Sequence, residues 1–151
     1  MEWLLLTVVG FNGLLAGLSV DKVVVQLPAR HRIGAVAYAH YARAADLGNG
    51  VVLYPVAGIG AALLTIVAAG VAFAVDASTT VRVLLAVAAG LSVLHSAATA
   101  VAAPTMYRVG KSPDVGADLS ALLSRFATAS NLRAGLQVAT FVLVALAATV
   151  R

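Results

Sequence analysis

The last apolar stretch of the chain constrains the fold most, because it carries an arginine where a membrane helix tolerates one poorly. Residues 126–150 read FATASNLRAGLQVATFVLVALAATV, which is long enough to span a bilayer as a helix. Arg133 and Gln137 lie inside this run. A guanidinium near the bilayer centre costs about 2.5 kcal/mol or more. Arg133 is therefore expected to snorkel to an interface, to pair with Asp46 or Asp21, or to contact a ligand.

Composition places the chain among integral membrane proteins. Of its 151 residues, 62% are hydrophobic and 11% are charged, whereas soluble domains are roughly 45–50% apolar. The net charge of +4 is not concentrated in a Lys/Arg cluster, so nothing favours a nucleic-acid partner. The absence of cysteine excludes disulfides, thiolate metal sites and cysteine nucleophiles.

Four apolar segments predict an all-α bundle of four transmembrane helices in a single domain, residues 1–151. Amphipathic helical segments precede the second and fourth spans. The first span lacks the basic start and the clear cleavage site of a signal peptide, so we expect it to stay uncleaved. The predicted spans cover about 3–26, 51–75, 81–103 and 126–150.

Prolines, glycines and charges are predicted to mark the ends of the helices. Pro28 is expected to end or bend the first helix, and Pro104 with the polar segment to Asp114 to close the third. Asp21 and Lys22 are interpreted as the exit from the hydrocarbon. The GNG sequence at 48–50 separates an amphipathic segment from the second span. That segment either lies at the membrane interface or extends the span.

The basic residues predict an orientation. Most Lys and Arg side chains fall between spans one and two and between spans three and four. By the positive-inside rule these two loops face the cytoplasm and both termini face outward. We therefore expect a bacterial inner-membrane protein in contact with membrane lipid.

Polar side chains within the spans predict a pocket in the cytoplasmic half of the bundle. Arg133 and Gln137 share a face of span four, and His95 and Thr99 share a stripe on span three. Counted inward at about 1.5 Å per residue, these groups fall between the midplane and the cytoplasmic face. The candidate ligand-binding residues are Asn12, His40, Asp46, Asn49, Tyr54, Thr99 and Gln137.

Most of these residues also have a structural interpretation. Asn12 and Gln137 are of the type that joins helices by hydrogen bonds, contributing about 0.6 kcal/mol each. Histidines such as His95 are more often interhelical hydrogen-bonding residues than bases or ligands. A metal site would need His40, His95 and Asp46 together, and their spacing is not diagnostic, so we predict no metal.

The layout of the chain resembles the anthrone-oxygenase-like family of small four-helix membrane proteins. The resemblance rests on a Gly-rich first span running into VVVQLPA, on AAPTMYRV after span three, and on FATASNLRAGLQ at the entry to span four. Pro28, Pro104, Asn131 and Arg133 match the family pattern.

The resemblance implies a bundle that binds a flat, lipophilic, often polyketide-like molecule. Some members oxidise an anthrone to a quinone with O₂ and without a cofactor. Such chemistry needs removal of an acidic proton followed by electron transfer to oxygen. His95 as the base and Arg133 as the anion stabiliser would be the catalytic residues.

Three function classes follow. The first is binding of a lipophilic small molecule, with oxygenase chemistry as an added hypothesis. The second is a non-catalytic structural or accessory subunit of a membrane complex, which the Gly/Ala-rich helix faces and the small size support equally well. The third, transport as a homo-oligomer, is weaker because no span has a clear broken-helix ion site.

Overall fold

The computed structural model describes residues 1–111 and 117–150, and these form an all-α bundle of four long rods. Each rod is long and apolar enough to cross a membrane, which confirms the predicted fold class. The rods form a closed ring, because each one packs against two neighbours. The rods are Glu2–Ile33, Ala35–Ala74, Thr79–Lys111 and Asp118–Thr149.

Helical segments account for nearly all of the described chain. A backbone in lipid must satisfy its own hydrogen bonds, and runs of Leu, Val and Ala do so as helices. Two of the segments are single π-helical turns, each of which joins two α-helices. In chain order the elements are α1 (Glu2–Val20), a π turn (Asp21–Gln26), α2 (Leu27–Ile33), α3 (Ala35–Ala44), a π turn (Ala45–Asn49), α4 (Gly50–Ala74), α5 (Thr79–Lys111) and α6 (Ala117–Thr149).

Pro28 does not end the first rod, which was one of its two predicted effects. It occupies the first turn of α2, where a backbone N–H has no necessary role, so the helix continues through it. The chain turns at Gly34, whose φ of 86° suits glycine and few other residues. The first rod therefore extends beyond its predicted end at residue 26.

The amphipathic segment before the second span is an extension of that span. α3 passes through the second π turn into α4, with non-helical backbone at Gly48 (φ −87°, ψ −119°). Gly50 is needed at this kink, because a Cβ there would lie 2.7 Å from the Ala45 carbonyl oxygen and 2.8 Å from the Tyr54 ring. The GNG sequence thus separates two helices within one rod, as predicted.

The third rod also runs beyond its predicted end. α5 passes through Pro104 and is helical as far as Lys111, the last residue described before residue 117, whereas the predicted span covered 81–103. Its 33 residues correspond to about 50 Å, longer than the hydrocarbon core of about 30 Å. Pro104 is exposed on α5, and the helix continues through it although proline has no N–H to donate. α6 includes the predicted amphipathic segment from residue 117 onward, while Val115 lies outside the described residues.

Two large apolar clusters form most of the core, one toward each end of the bundle, and a small third cluster contains Leu15, Ala57 and Ala61. The end formed by α2, α3 and the C-terminal part of α5 is called the basic end, after Arg30, Arg32, Arg43, Arg108 and Lys111. The basic-end cluster contains Leu27, Tyr38, Ala39, Ala42, Ala102, Met106, Val109, Leu119, Leu123, Phe126 and Ala127. The alanine-rich cluster, at the opposite end, contains Leu5, Val8, Ala68, Ala69, Ala72, Val81, Leu85, Ala88, Val144 and Ala147.

Candidate ligand-binding site

Buried polar side chains occupy the helix positions between the two apolar clusters. All four rods contribute to this layer, so its hydrogen bonds join helices that are distant in sequence. Buried polar groups are normally paired, and an unpaired one therefore calls for an explanation. The members of the polar layer are Asn12, Ser19, Thr65, Ser92, His95, Ser130, Gln137 and Thr140.

A buried ion pair lies beside this layer and joins the first rod to the second. Lys22 and Asp46 are 3% and 7% exposed, and Lys22 Nζ lies 2.6 Å from each carboxylate oxygen of Asp46. Lys22 also donates to Gln26 Oε1 at 3.1 Å and lies 5.7 Å from the centre of the Phe126 ring. Loss of one partner would leave a buried charge uncompensated, at a cost of about 3–5 kcal/mol.

The two π turns position this ion pair. Lys22 lies in the first π turn and Asp46 in the second. The N–H of Leu27 donates to the carbonyl of Lys22, an i→i+5 bond that widens the helix. A π turn interrupts the 3.6-residue period, and such turns are frequent at functional sites. Both charged side chains thereby face the interior of the bundle.

Three polar residues form a hydrogen-bonded chain across α1, α6 and α5. Ser19 Oγ donates to Gln137 Oε1, and Gln137 Nε2 lies 3.4 Å from His95 Nδ1. With the amide as donor, Nδ1 accepts, and in a neutral imidazole the hydrogen is then on Nε2. His95 Nε2 is buried and has no hydrogen-bond partner among the described residues. The chain therefore ends in an unused donor.

Arg133 lies one helical turn from Gln137, and neither expected carboxylate pairs with it. Asp46 is bound to Lys22, and Asp21 accepts from Gln26 Nε2 at 2.5 Å. Within residues 1–111 and 117–150, the buried Nε of Arg133 has no hydrogen-bond partner. Arg133 is thus a second unused donor in the same part of the bundle.

A cavity of about 240 Å³ brings these groups together. All four rods contribute to its wall, and the charged side chains on that wall are Lys22, Asp46 and Arg133. The wall therefore carries two cations and one carboxylate. Most of the remaining surface is apolar or aromatic, including Leu15, Leu18, Ile59, Met106 and Phe126.

The cavity opens sideways, between α4 and α5. The lining residues contributed by α1 and α6 are all buried or half-buried, so that side is closed. In a membrane the open side faces lipid, which gives a lipophilic molecule a lateral route into the cavity. The exposed lining residues are Val51, Pro55 and Ile59 on α4 and Ser96, Ala103 and Tyr107 on α5.

Six of the nine residues predicted for the site line this cavity. They come from the second, third and fourth rods, and their common location agrees with the shared helix faces on which they were selected. The role of each as a ligand contact stays a prediction. The six residues are Asp46, Tyr54, His95, Thr99, Arg133 and Gln137.

Asn12 is one of the three predicted residues that lie outside the cavity lining. Its Nδ2 donates to Thr65 Oγ1 and to the Val8 carbonyl, both at 2.9 Å. Thr65 Oγ1 donates in turn to the Ala61 carbonyl at 2.7 Å. Asn12 therefore joins α1 to α4, which is the structural interpretation of this residue.

His40 and Asn49 also lie outside the cavity lining, and both are exposed. His40 shares the exposed face of α3 with Val36 and Ala37, whereas Tyr38 and its neighbours pack inward. The face of α3 that carries Val36, Ala37 and His40 thus points away from the bundle, so His40 lies outside the pocket for which it was selected.

Lys22 is the site residue that sequence reasoning missed. The prediction placed it at the exit from the hydrocarbon, but the structure buries it at the cavity wall. A signal was present: Ser19, Lys22 and Gln26 are separated by steps of three and four, so they share one helix face. That face continues the polar stripe begun by Asn12.

Comparison with known proteins adds no assignment to this geometry. No protein-family model matches the chain, and no match is found among curated proteins or solved structures. Within the part of the chain that the structure describes, no three His, Asp or Glu side chains are grouped to hold a metal ion. The resemblance to the anthrone-oxygenase-like family stays a prediction.

Proposed function

We propose that this protein binds a lipophilic small molecule in the cavity that opens between α4 and α5. One observation carries the proposal: Arg133 borders a mostly apolar cavity, and its buried Nε has no hydrogen-bond partner among the described residues. Ligand sites commonly combine apolar walls with a few placed polar groups. The lateral opening suits a molecule that partitions into lipid.

The energetics of Arg133 support binding over a purely structural role. A guanidinium within a membrane helix costs about 2.5–3.5 kcal/mol unless something compensates it. Side chains that only hold helices together recover such a cost through a protein partner, as Asn12 does with Thr65. Asp46 attracts the Arg133 guanidinium without forming an ion pair with it, because Asp46 is bound to Lys22. The buried Nε of Arg133 has no hydrogen-bond partner in the described chain, so a bound molecule is the natural source of further compensation.

The proposal is limited to binding and includes no oxidation step. An anthrone oxygenase would need His95 to accept a proton. In the tautomer in which Nδ1 accepts from Gln137, the buried Nε2 carries the hydrogen and is a donor rather than a base. Anthrone oxidation stays a separate hypothesis, tested by the turnover of His95→Ala in an oxidase assay.

A cavity-filling substitution tests the proposal. Gly58 lines the cavity, and a Cβ there would meet no atom within 4 Å, so Gly58→Leu should fill the space without a clash. Gly70→Leu is the matched control, because Gly70 is also on α4, equally free of contacts, and outside the cavity lining. Each protein would be purified in mild detergent, and its bound molecules identified by native mass spectrometry.

We expect a stoichiometric lipophilic molecule on the native protein and on Gly70→Leu, and its loss from Gly58→Leu. Equal retention by Gly58→Leu would mean that the molecule binds elsewhere. A native protein that carries no small molecule, but a stoichiometric protein subunit, would favour the accessory-subunit alternative instead.

A further inference from the structure

The charges on the cavity wall are unbalanced. Asp46 is fully engaged by Lys22, with both carboxylate oxygens at 2.6 Å from Nζ. Arg133 adds a second cation to the wall, and the lining contains no second carboxylate. With His95 neutral, one positive charge remains in excess beside an apolar space.

Two buried polar atoms of the residues at this wall lack a hydrogen-bond partner, and both are interpreted as donors. His95 Nε2 and Arg133 Nε are both buried and unpartnered within the described residues. Arginine has no acceptor, and His95 presents a hydrogen on Nε2 when its Nδ1 accepts from Gln137. A molecule that satisfies both groups must therefore supply acceptor oxygens.

We propose that the ligand is an amphiphile whose head carries one negative charge, held by Arg133 and His95, with its apolar part directed to the opening between α4 and α5. This inference rests on the proposed function and adds the charge of the ligand to it. A carboxylate fits the planar guanidinium through two parallel hydrogen bonds. The phosphate of an anionic phospholipid offers the same charge and acceptors.

Two probes that differ in one charge test the inference. Pyrenedodecanoic acid and its methyl ester share a fluorescent tail, and only the acid is anionic. Binding of each would be titrated to the protein in nanodiscs of neutral phosphatidylcholine. The variants are Arg133→Gln, Arg133→Lys, which keeps the charge, and Arg125→Gln, whose arginine is exposed on the same helix outside the cavity lining.

We expect the acid to bind at least about ten-fold more tightly than the ester, as hydrogen bonds to a charged group imply. Arg133→Gln should abolish this preference, Arg133→Lys should retain part of it, and Arg125→Gln should leave it unchanged. Because Arg133 has no partner in the described chain, its loss leaves no protein group newly unpaired.

The result that would overturn only the charge inference differs from the result that would also overturn the proposed function. Equal binding of both probes, with loss of both in Gly58→Leu, would overturn the charge inference and leave the proposed function intact. Absence of saturable binding by either probe would overturn both. Phosphatidylglycerol in the nanodisc distinguishes the sources: displacement of the acid identifies a phospholipid head, and persistence of the acid identifies a free organic acid. Either result requires an anionic head.

Discussion

The interface between α1 and α4 and the interface between α5 and α6 both contain buried polar side chains, but only the second leaves donors unused. At the first, Asn12 donates to Thr65 and to the Val8 carbonyl, which closes the contact. At the second, the chain through Gln137 ends at His95 Nε2, and Arg133 Nε is also unpaired within the described residues. Ser92 Oγ and Ser130 Oγ are unpaired as well but do not line the cavity. Paired contacts hold helices together, and the unpaired donors of cavity-lining residues are the basis of the proposed ligand site.

The largest change in stability is expected when one partner of a fully paired buried contact is removed. Asp46→Leu removes the carboxylate that Lys22 binds and leaves a buried ammonium uncompensated. We expect the free energy of unfolding to fall by about 3–5 kcal/mol, measured by denaturant titration in detergent. The double variant Lys22→Met/Asp46→Leu should recover most of this loss. If Asp46→Leu is as stable as the native protein, the ion pair between Lys22 and Asp46 does not stabilise the fold.

Removal of an unpaired buried donor should not lower the free energy of unfolding. Arg133→Met eliminates a cation with no partner in the described chain, so the free energy of unfolding without ligand should be unchanged or rise by up to about 2.5 kcal/mol. Arg125→Met is the control for general effects of losing an arginine from α6. A clear loss of stability in Arg133→Met alone would assign Arg133 to helix packing.

The smallest change in the free energy of unfolding is expected at the hydrogen bond between Asn12 and Thr65, which are both uncharged. Asn12→Ala should lower the free energy of unfolding by about 0.6 kcal/mol and by no more than about 1.7 kcal/mol, the range for interhelical hydrogen bonds in membranes. Ligand binding, measured with the pyrene acid, should be unaffected, because Asn12 does not line the cavity. A change in probe affinity would show that the two interfaces are not independent.

The sequence predicted the number and order of the helices because the need for internal hydrogen bonding in lipid leaves few alternatives. Helix ends were less predictable. Pro28 was expected to end or bend the first helix, and Pro104 to help close the third, but both rods remain helical through the proline. A proline in a long apolar segment therefore did not mark the end of a helix.

The candidate site was predictable where the helix is regular. Arg133 and Gln137 on α6 and His95 and Thr99 on α5 meet at the cavity, as their spacing indicates. Lys22 was misplaced because its charge was interpreted as the exit from the hydrocarbon, although its spacing places it on one helix face with Ser19 and Gln26. The inward direction of His40 was also wrong, because both faces of α3 are largely apolar and nothing in the pattern distinguishes them.

The lateral opening has a consequence for how any ligand would be selected. A molecule that arrives between α4 and α5 competes with every acyl chain in the surrounding bilayer. Its tail gains little on entering, since lipid is already an apolar solvent for it. Occupancy would then depend on mole fraction in the membrane rather than on aqueous concentration. The polar head group of each competing molecule would then determine almost entirely which of them binds.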